Sequence, residues 1–496
     1  MMDNKHITKK RVYGPKKEIN KYNDNVIKSI VEYLPTSDRI RLMDLSQAFS
    51  WQIFVSFLED LTDDWLRGDM DELDNNLTTF GNIVKTITIN TCQSTEFYVY
   101  VFSKCMNATM VVLDECNVNE ILDAVYSTYG PTLEHLDIGS PFDDEPPEDL
   151  AQIPNFPNLD TLKIQRMCIN ASYLNELLYF VPDALVVLHL SRLTTVDASL
   201  MRSLLSKFTN LMDLELLGDF FVESAVMCLD TPLPKLESLS IGNIGSLSRA
   251  AHKLKLKASN IPSLNEFKLF GVEGLSDDGN RMPHLLNHMN YPMESITMCF
   301  MNMDVEYTFN SQKFPNLRQL YLENCDGFNI DLITHCFTRL PNLDKLVINQ
   351  CNLNDEYFVN LSKRPKKART SCNLKMFTFR NGDEKIGIEF IYFLRLHLTS
   401  VEHLDVTNTM AEDDLDLEHI ARRLKEISST KMSLKTFRFG NSFVDEELIE
   451  CFLELSPDIV EVETEDIDHA DIISKHRDAY NKAITIYSDM DNDLEL

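Results

Sequence analysis

Cysteine, histidine and acidic residues are the side chains of this sequence that could do chemistry, and their spacing fits no common site. The chain has 11 cysteines and 12 histidines, yet it contains no Cys-x-x-Cys pair and no cysteine near a histidine at zinc spacing. The motifs Gly-x-x-x-x-Gly-Lys-Ser/Thr, Gly-x-Gly-x-x-Gly and His-Glu-x-x-His are absent as well. We therefore expect no metal, no cofactor and no catalytic residue in this chain.

Three of the cysteines occupy one recurring position. Cys92, Cys325 and Cys351 each end a copy of the pattern L-x-x-L-x-L-x-x-C, in which another apolar residue can replace leucine. We expect these thiols to fill a narrow turn after a strand as small hydrophobic groups. A redox, ligand or thioester-forming role is the alternative, and the dispersed placement of the cysteines argues against it.

The cysteine pattern belongs to a repeat that fills most of the chain. The phrase LEHLDI at 133–138 returns in related forms at steps of 24 to 33 residues. Its copies begin at Leu133, Leu159, Leu185, Leu211, Leu236, Leu264, Met293, Leu317, Leu343, Leu374, Val401 and Leu434. Weaker copies begin at Val84, Met110 and Ile459. This self-similarity is typical of a leucine-rich repeat.

Each repeat predicts one strand and one helix. The phrase alternates apolar and polar residues, which indicates a strand. The stretch IDLITHCFTRLPN at 330–342 places Ile330, Ile333, Phe337 and Leu340 at helical spacing. Phrases such as FPNL and LPNL then end the helix, because proline cannot continue its hydrogen-bond ladder. We therefore predict an α/β fold, a leucine-rich-repeat solenoid with parallel strands on the concave face and helices on the convex face.

The concave face is the predicted substrate-binding surface, because strand residues that do not point into the core face this side. They include aromatic and arginine side chains of the kind that dominate protein interfaces. Our candidates for binding a protein substrate are Phe270, Gln319, Tyr321, Lys345, Asn349, Arg380, His403, Asp405 and Arg438. Any solenoid must place some side chains on its concave wall, which is the alternative reason for their presence.

The segment from Asp24 to about Leu58, ahead of the repeats, has a different spacing of apolar residues. Apolar residues follow helical spacing there, Pro35 interrupts the first helix, and the polar residues after it can cap a second one. A third helix follows. So short a segment cannot bury this many large apolar side chains by itself. A partner that covers them is implied.

The stretch YLPTSDRIRLMDLSQAF at 33–49 resembles an F-box, the helical module that docks on a Skp-type adaptor of a cullin–RING ubiquitin ligase. Its central Leu-Pro is matched by Leu34-Pro35, and later positions of the motif are matched by Asp38, Ile40, Arg41, Leu42 and Leu45. The sequence departs from the motif at Tyr22-Asn23 and Ser46. It also departs at the usual tryptophan, which is replaced by Phe49 or displaced to Trp51.

An F-box-like unit directly ahead of leucine-rich repeats resembles the F-box leucine-rich-repeat family over roughly residues 22–465. The resemblance implies a non-catalytic substrate-recognition subunit of an SCF-type E3 ubiquitin ligase, acting in ubiquitin-dependent protein degradation. The implied adaptor contacts are Ile27, Ile30, Leu34, Pro35, Ile40, Leu42, Leu45, Phe49 and Trp51.

Two other functions stay open. The leading helices can be a simple cap on the first repeat of a non-enzymatic binding scaffold or inhibitor. The chain can also be a GTPase-activating protein like the leucine-rich-repeat activator of the nuclear-transport GTPase. That function needs an asparagine or arginine at one rim of the solenoid, and the sequence marks none.

The sequence predicts five parts: a basic disordered tail (1–21), the F-box-like module (22–58), an acidic helical connector (59–81), the repeats (82–466) and a C-terminal segment (467–496). The last is predicted to hold a capping helix and an acidic end. The apolar residues of that helix are Ile472, Ile473, Tyr480, Ile484 and Tyr487.

The net charge and the lengths of the apolar runs limit the kinds of partner that we expect. The net charge of −30 opposes binding to a nucleic-acid backbone. It serves solubility, or else forms an acidic docking face for a basic partner. No apolar run is long enough to span a bilayer and the amino end has no apolar signal region, so we expect no membrane partner and a cytoplasmic or nuclear location. The basic run KRPKKAR at 363–369 resembles a nuclear import signal, and a solvated loop or a contact to an acidic partner are the alternatives.

Overall fold

The computed structural model describes the chain in segments. These are residues 60–61, 70–89, 94–114, 118–139, 155–165, 181–191, 198–218, 231–242, 260–271, 292–300, 314–328, 331–351, 353–362, 374–411, 415–427, 431–440, 442–464 and 485–488, with a few single positions between them. The predicted basic tail, the F-box-like module and the basic run at 363–369 lie outside the described residues.

Two compact units make up the chain: Met1–Glu145 with Asp149–Leu159, and Pro146–Glu148 with Asp160–Leu496. The predicted repeat region contributes strands to both units, and the predicted domain boundaries stay predictions.

The first unit repeats a strand and a helix. It contains β1 (Asp60–Leu61), α1 (Met70–Phe80), β2 (Thr86–Ile89), α2 (Thr95–Lys104), β3 (Met110–Leu113), α3 (Val118–Tyr129) and β4 (His135–Gly139). The strands pair in parallel and in chain order. The predicted helical connector (59–81) contains α1, but Asp60–Leu61 near its start form a strand that pairs with β2 and buries Leu61 completely. Its pairing gives hydrogen-bond partners to backbone groups at the edge of β2.

The second unit continues the same plan. Its strands are β5 (Thr161–Gln165), β6 (Val187–Leu190), β7 (Asp213–Leu217), β8 (Ser238–Gly242), β9 (Glu266–Phe270), β10 (Ser295–Cys299), β11 (Gln319–Glu323), β12 (Lys345–Asn349), β13 (Met376–Arg380), β14 (Gly382–Ile386), β15 (His403–Asp405), β16 (Thr409–Ala411), β17 (Thr436–Arg438), β18 (Glu461–Thr464) and β19 (Thr485–Ser488). Its described helices are α4 (Ala198–Lys207), α5 (Leu332–Arg339), α6 (Glu356–Ser362), α7 (Ile388–His397), α8 (Leu417–Ile427) and α9 (Glu446–Leu455).

All but two of these strands form one parallel sheet, in chain order and in constant register. Lys345, for example, is paired with Gln319 on one side and with Met376 on the other. The sequence did not predict the remaining two strands, β14 and β16, which form a separate two-stranded parallel sheet. The repeated parallel strands and the helices between them confirm the predicted α/β leucine-rich-repeat solenoid.

The core lies on one face of each sheet, because alternate side chains of a strand point to opposite faces. In β11, Leu320 and Leu322 are fully buried, whereas Tyr321 and Glu323 stay partly exposed. The helix predicted within 330–342 is confirmed as α5. Ile333 and Phe337 on this helix and Leu340 just after it are buried as well, and Ile330 lies outside the described residues.

Side chains at both ends of the strands tie neighbouring repeats together. Before the strands, the amide of Asn342 donates to the carbonyl of Pro315 at 2.8 Å, which explains the recurring Pro-Asn-Leu phrase. After the strands, the Cys325 thiol donates to the carbonyl of Met298 at 3.4 Å and the Cys351 thiol to Leu322 at 3.5 Å. These two cysteines are buried, as expected for a structural role, and they also act as donors. Cys92 lies outside the described residues.

One carboxylate links the repeats on the helical side. Asp355, just before α6, accepts hydrogen bonds from the backbone N–H groups of Gly387, Glu389 and Phe390 at the start of α7. It thus supplies acceptors for N–H groups that have no partner within the first turn of a helix.

The predicted C-terminal capping helix is wrong at residues 485–488. Thr485–Ser488 form β19, which pairs in parallel with β18. The sequence Thr-Ile-Tyr-Ser favours a strand because β-branched and aromatic side chains fit a pleated sheet. Among the described helices, none is long and apolar enough to cross a membrane.

Candidate protein-binding face

The open face of the second unit consists of the first, third and fifth residues of its strands, which alternate with the buried second and fourth residues. All nine predicted substrate-binding residues lie at these positions, on β9, β11, β12, β13, β15 and β17. The constant register places the same position of neighbouring strands side by side. Four of the nine therefore contact one another across repeats, as the pairs Lys345–Tyr321 and Arg380–Asp405.

The first cluster joins β11 and β12. The ammonium nitrogen of Lys345 lies 4.9 Å from the centroid of the Tyr321 ring, a distance at which the ring face attracts a cation. The hydroxyl of Tyr321 donates to Oε1 of Gln319 at 3.0 Å. These three candidates form one cluster, in which the Tyr321 ring contacts both Gln319 and the Lys345 ammonium group.

The second cluster is centred on Glu323. Its Oε1 accepts a hydrogen bond from the Asn349 amide at 3.0 Å, and its Oε2 accepts one from the Cys299 thiol at 3.6 Å. Burial, together with the neighbouring Glu323 carboxylate, raises the pKa of Cys299 to about 12. Cys299 is therefore a protonated thiol at neutral pH, whereas a nucleophile needs the thiolate.

The third cluster pairs Arg380 with Asp405. Nη2 of Arg380 lies 2.7 Å from Oδ2 of Asp405, and Nε donates to Oδ1 at 3.4 Å. The backbone N–H and the hydroxyl of Thr407 donate to the same Oδ1. The hydrogen bond to Asp405 raises the pKa of Arg380. The Asp405 side chain is only 12% exposed and that of Arg380 is 40% exposed, so the guanidinium lies above its carboxylate.

The last candidates lie on β15 and β17. Nε of Arg438 lies 2.7 Å from Oε2 of Glu463, and the arginine is again the more exposed partner, at 45% against 28%. The Nδ1 atom of His403 contacts the hydroxyl of Thr436 on the next strand.

Phe270 lies apart from these clusters. It is half-buried at the end of β9, and a Cβ atom added at Gly242 would lie 2.3 Å from the Phe270 Cβ and 2.8 Å from its carbonyl oxygen. Gly242 is thus the residue that lets the backbone of β9 and the Phe270 side chain approach β8.

A polar network on β6 to β9 was not among the predicted site residues. His189 Nε2 lies 2.9 Å from Asp213 Oδ2, the hydroxyl of Ser238 donates to Glu266 Oε2 at 3.0 Å, and Lys268 pairs with Glu266 at 3.3 Å. Burial raises the pKa of Asp213, but hydrogen bonds from His189 and Ser238 more than offset this effect, so the pKa lies below its usual value. The signal in the sequence is polar residues at the first and third positions of β7, β8 and β9 and at the third position of β6.

The described polar groups of the open face are spread over many strands. Among the described residues, no group of three or more histidine, cysteine or acidic side chains could hold a metal ion. Paired charges and half-buried apolar side chains on a broad surface suit contact with a macromolecule. The predicted adaptor-binding residues, from Ile27 to Trp51, lie outside the described residues.

Comparisons with known proteins bear on the fold alone. The sequence matches no protein-family model and no curated protein. A chain in the crystal structure of the Rad7 and Elc1 complex in yeast is similar, with 14% identity over 89% of this chain and 88% of that chain, and a TM-score of 0.40. A chain in the crystal structure of the TLR13-ssRNA13 complex has 15% identity and a TM-score of 0.39, covering 77% of this chain and 57% of that one. Similarities this low establish neither a family nor a function.

Proposed function

We propose that this protein is the substrate-recognition subunit of an SCF-type E3 ubiquitin ligase. The observation that supports this function is the order of its parts: an F-box-like sequence at 22–58 directly precedes leucine-rich repeats. The leading helices bind a Skp-type adaptor, and through it a cullin–RING ligase. The open face of the repeats binds a protein substrate.

The chain itself is not catalytic in this proposal. It raises the effective concentration of a substrate lysine near a charged ubiquitin-conjugating enzyme and makes or breaks no bond. The paired side chains of the open face support a binding role, because they hold aromatic and arginine groups in fixed positions without converging on a reaction centre. We further propose that the protein acts in the cytoplasm, the nucleus or both.

Binding to the adaptor tests the proposal. The full chain is mixed with a purified Skp-type adaptor, and recovery of the complex is compared for the wild type and Leu34→Asp. A charge in place of a leucine buried at the contact should weaken binding about a hundredfold or more. The matched control is Met106→Asp, because Met106 is 56% exposed and lies outside the F-box-like module.

Equal recovery of the wild type and Leu34→Asp would overturn the adaptor role, as would no recovery of the folded wild type. Either result would favour the non-enzymatic binding scaffold, in which the leading helices cap the first repeat.

A further inference from the structure

The open face differs along the sheet in which member of each hydrogen-bonded or ion pair points outward. On β13 to β18 the cation is the more exposed partner, with Arg380 at 40% above Asp405 at 12%, and Arg438 at 45% beside Glu463 at 28%. On β6 to β9 Glu266 and Lys268 are equally exposed, at 33% and 34%, and Asp213 at 35% is more exposed than its hydrogen-bond partner His189 at 17%. A partner that approaches β13 to β18 therefore meets guanidinium groups first.

The exposed guanidinium groups keep donors beyond those in the ion pairs. A guanidinium has five N–H donors, and Asp405 accepts from Nε and Nη2 of Arg380, while Glu463 lies next to Nε of Arg438. Thr407 donates to Asp405 from its backbone and its hydroxyl, so the carboxylate that orients Arg380 is itself held in place. A pre-oriented arginine loses little side-chain entropy on binding a carboxylate.

Lys345 and half-buried apolar groups extend this region to β12. The Lys345 ammonium lies on top of Tyr321, and Val347 and Met376 are half-buried at neighbouring open-face positions. Among the described residues of this part of the open face, the acidic ones are Asp405 beneath Arg380, Glu323, which accepts from Asn349 and Cys299, and Glu461 and Glu463 on β18. The outward cations at Lys345, Arg380 and Arg438 are defined here as the cationic face.

We propose that the cationic face binds an acidic peptide segment of the partner protein. The carboxylates of this segment pair with Arg380, Arg438 and Lys345, and its apolar side chains contact Val347 and Met376. The net charge of −30 of the whole chain repels an acidic segment elsewhere, so the outward cations also select the place where it binds. The identity of this segment as part of a ubiquitylation substrate rests on the proposed function, whereas the binding itself does not.

Selection from a library of random displayed peptides on the immobilised full chain tests the proposal. We expect enrichment of Asp and Glu on the wild type and loss of that enrichment on Arg380→Gln/Arg438→Gln. The matched control is Lys163→Gln/Lys268→Gln, which removes two cations from the open face outside the cationic face and should retain the enrichment. Arg438→Gln alone is the second variant if the double variant folds poorly, because its ion pair is the more exposed one.

The affinity of an enriched peptide is then measured by fluorescence anisotropy. Each lost arginine should weaken binding about tenfold or more, because a hydrogen bond to a charged group is lost. Rising salt should weaken binding to the wild type as well.

Three outcomes would overturn the proposal. They are no acidic enrichment on the wild type, enrichment that survives Arg438→Gln unchanged, and enrichment that is lost instead in Lys366→Gln/Lys367→Gln of the basic run. A labelled single-stranded oligonucleotide that binds through Arg380 and Arg438 while no peptide does would assign the face to nucleic acid and overturn it too. Adaptor binding is a separate measurement, so a failure of the proposed ligase role leaves the peptide result unchanged.

Discussion

Two regions of the open face, β6 to β9 and β12 to β18, share one fold and differ in the charge they present. Both have parallel strands in constant register, with most of their polar side chains at the first and third positions of the strands. In the first region carboxylates lie outermost together with one lysine, and in the second region two arginines lie above their carboxylates. The repeat therefore determines where open-face side chains lie, and the residue type and depth at each position determine which partner each region can accept.

The largest expected loss of stability comes from a substitution where β8 and β9 lie close together in the first region. Gly242→Val places a branched side chain where a Cβ atom already lies 2.3 Å from the Phe270 Cβ and 2.8 Å from its backbone oxygen. We expect a loss of about 3 kcal/mol in the free energy of unfolding, because backbone atoms of β9 must move. Urea unfolding measures it. Thr297→Val, at a half-buried open-face position of β10, is the control and should change stability little; an equal loss in both variants would contradict the explanation.

The next effect separates the two arginine pairs of the second region. Arg380→Met leaves Asp405, at 12% exposure, without its charged partner and should cost about 2 kcal/mol. Arg438→Met leaves Glu463, at 28% exposure, in contact with water and should cost about 1 kcal/mol or less. Thermal and urea unfolding of the two variants give the comparison. A larger loss in Arg438→Met would show that depth of the carboxylate does not set the cost.

A smaller effect on stability is expected from the Asp213 carboxylate in the first region, and it depends on pH. The pKa of Asp213 in the folded chain is lower than its usual value of 3.8, so its ionised form contributes stability above that pH. The contribution begins to fall when the pH drops below about 4, where the unfolded chain takes up a proton. It is lost once the pH has also passed the lower pKa of the folded chain. Asp213→Asn should therefore be less stable than the wild type at neutral pH, and the gap should narrow in acid. Urea unfolding across pH measures the gap, and a constant gap would exclude the ionised carboxylate as its source.

The smallest effect concerns the cation above Tyr321. Lys345→Met removes an exposed cation–π contact and should cost about 0.5 to 1 kcal/mol in the free energy of unfolding. Lys163→Met is the control, at an open-face position of β5, and should have a smaller effect. Equal effects would mean that the Tyr321 ring adds nothing to the stability of the second region.

Much of the fold follows from the sequence because the repeat signal is strong. The phrases that begin at Leu317 and Leu343 are confirmed as β11 and β12, and the weaker phrases at Val84, Met110 and Ile459 as β2, β3 and β18. The ends are less predictable. Asp60–Leu61 and Thr485–Ser488 are strands where helices were predicted, because a short segment beside an existing strand takes its conformation from the backbone pairing it gains.

The candidate site is predictable in position and not in detail. Alternation along the phrases places Tyr321, Lys345 and Arg380 on the open face, as the structure shows. It does not reveal that Asp405 lies beneath Arg380 or that Asp213 bonds His189, because those contacts depend on side-chain length, rotamer and depth across two repeats.

The sequence by itself determined the repeat, its period, the residues that face the core and the side chains available for binding, since the periodicity of apolar residues is a local property of the chain. The tertiary structure alone decided the contacts between repeats. Asp355 accepts hydrogen bonds from Gly387, Glu389 and Phe390, which follow it by 32 to 35 residues, and Arg380 lies above Asp405. Such contacts form only when stacking brings distant residues within hydrogen-bond distance, and no local pattern encodes that distance.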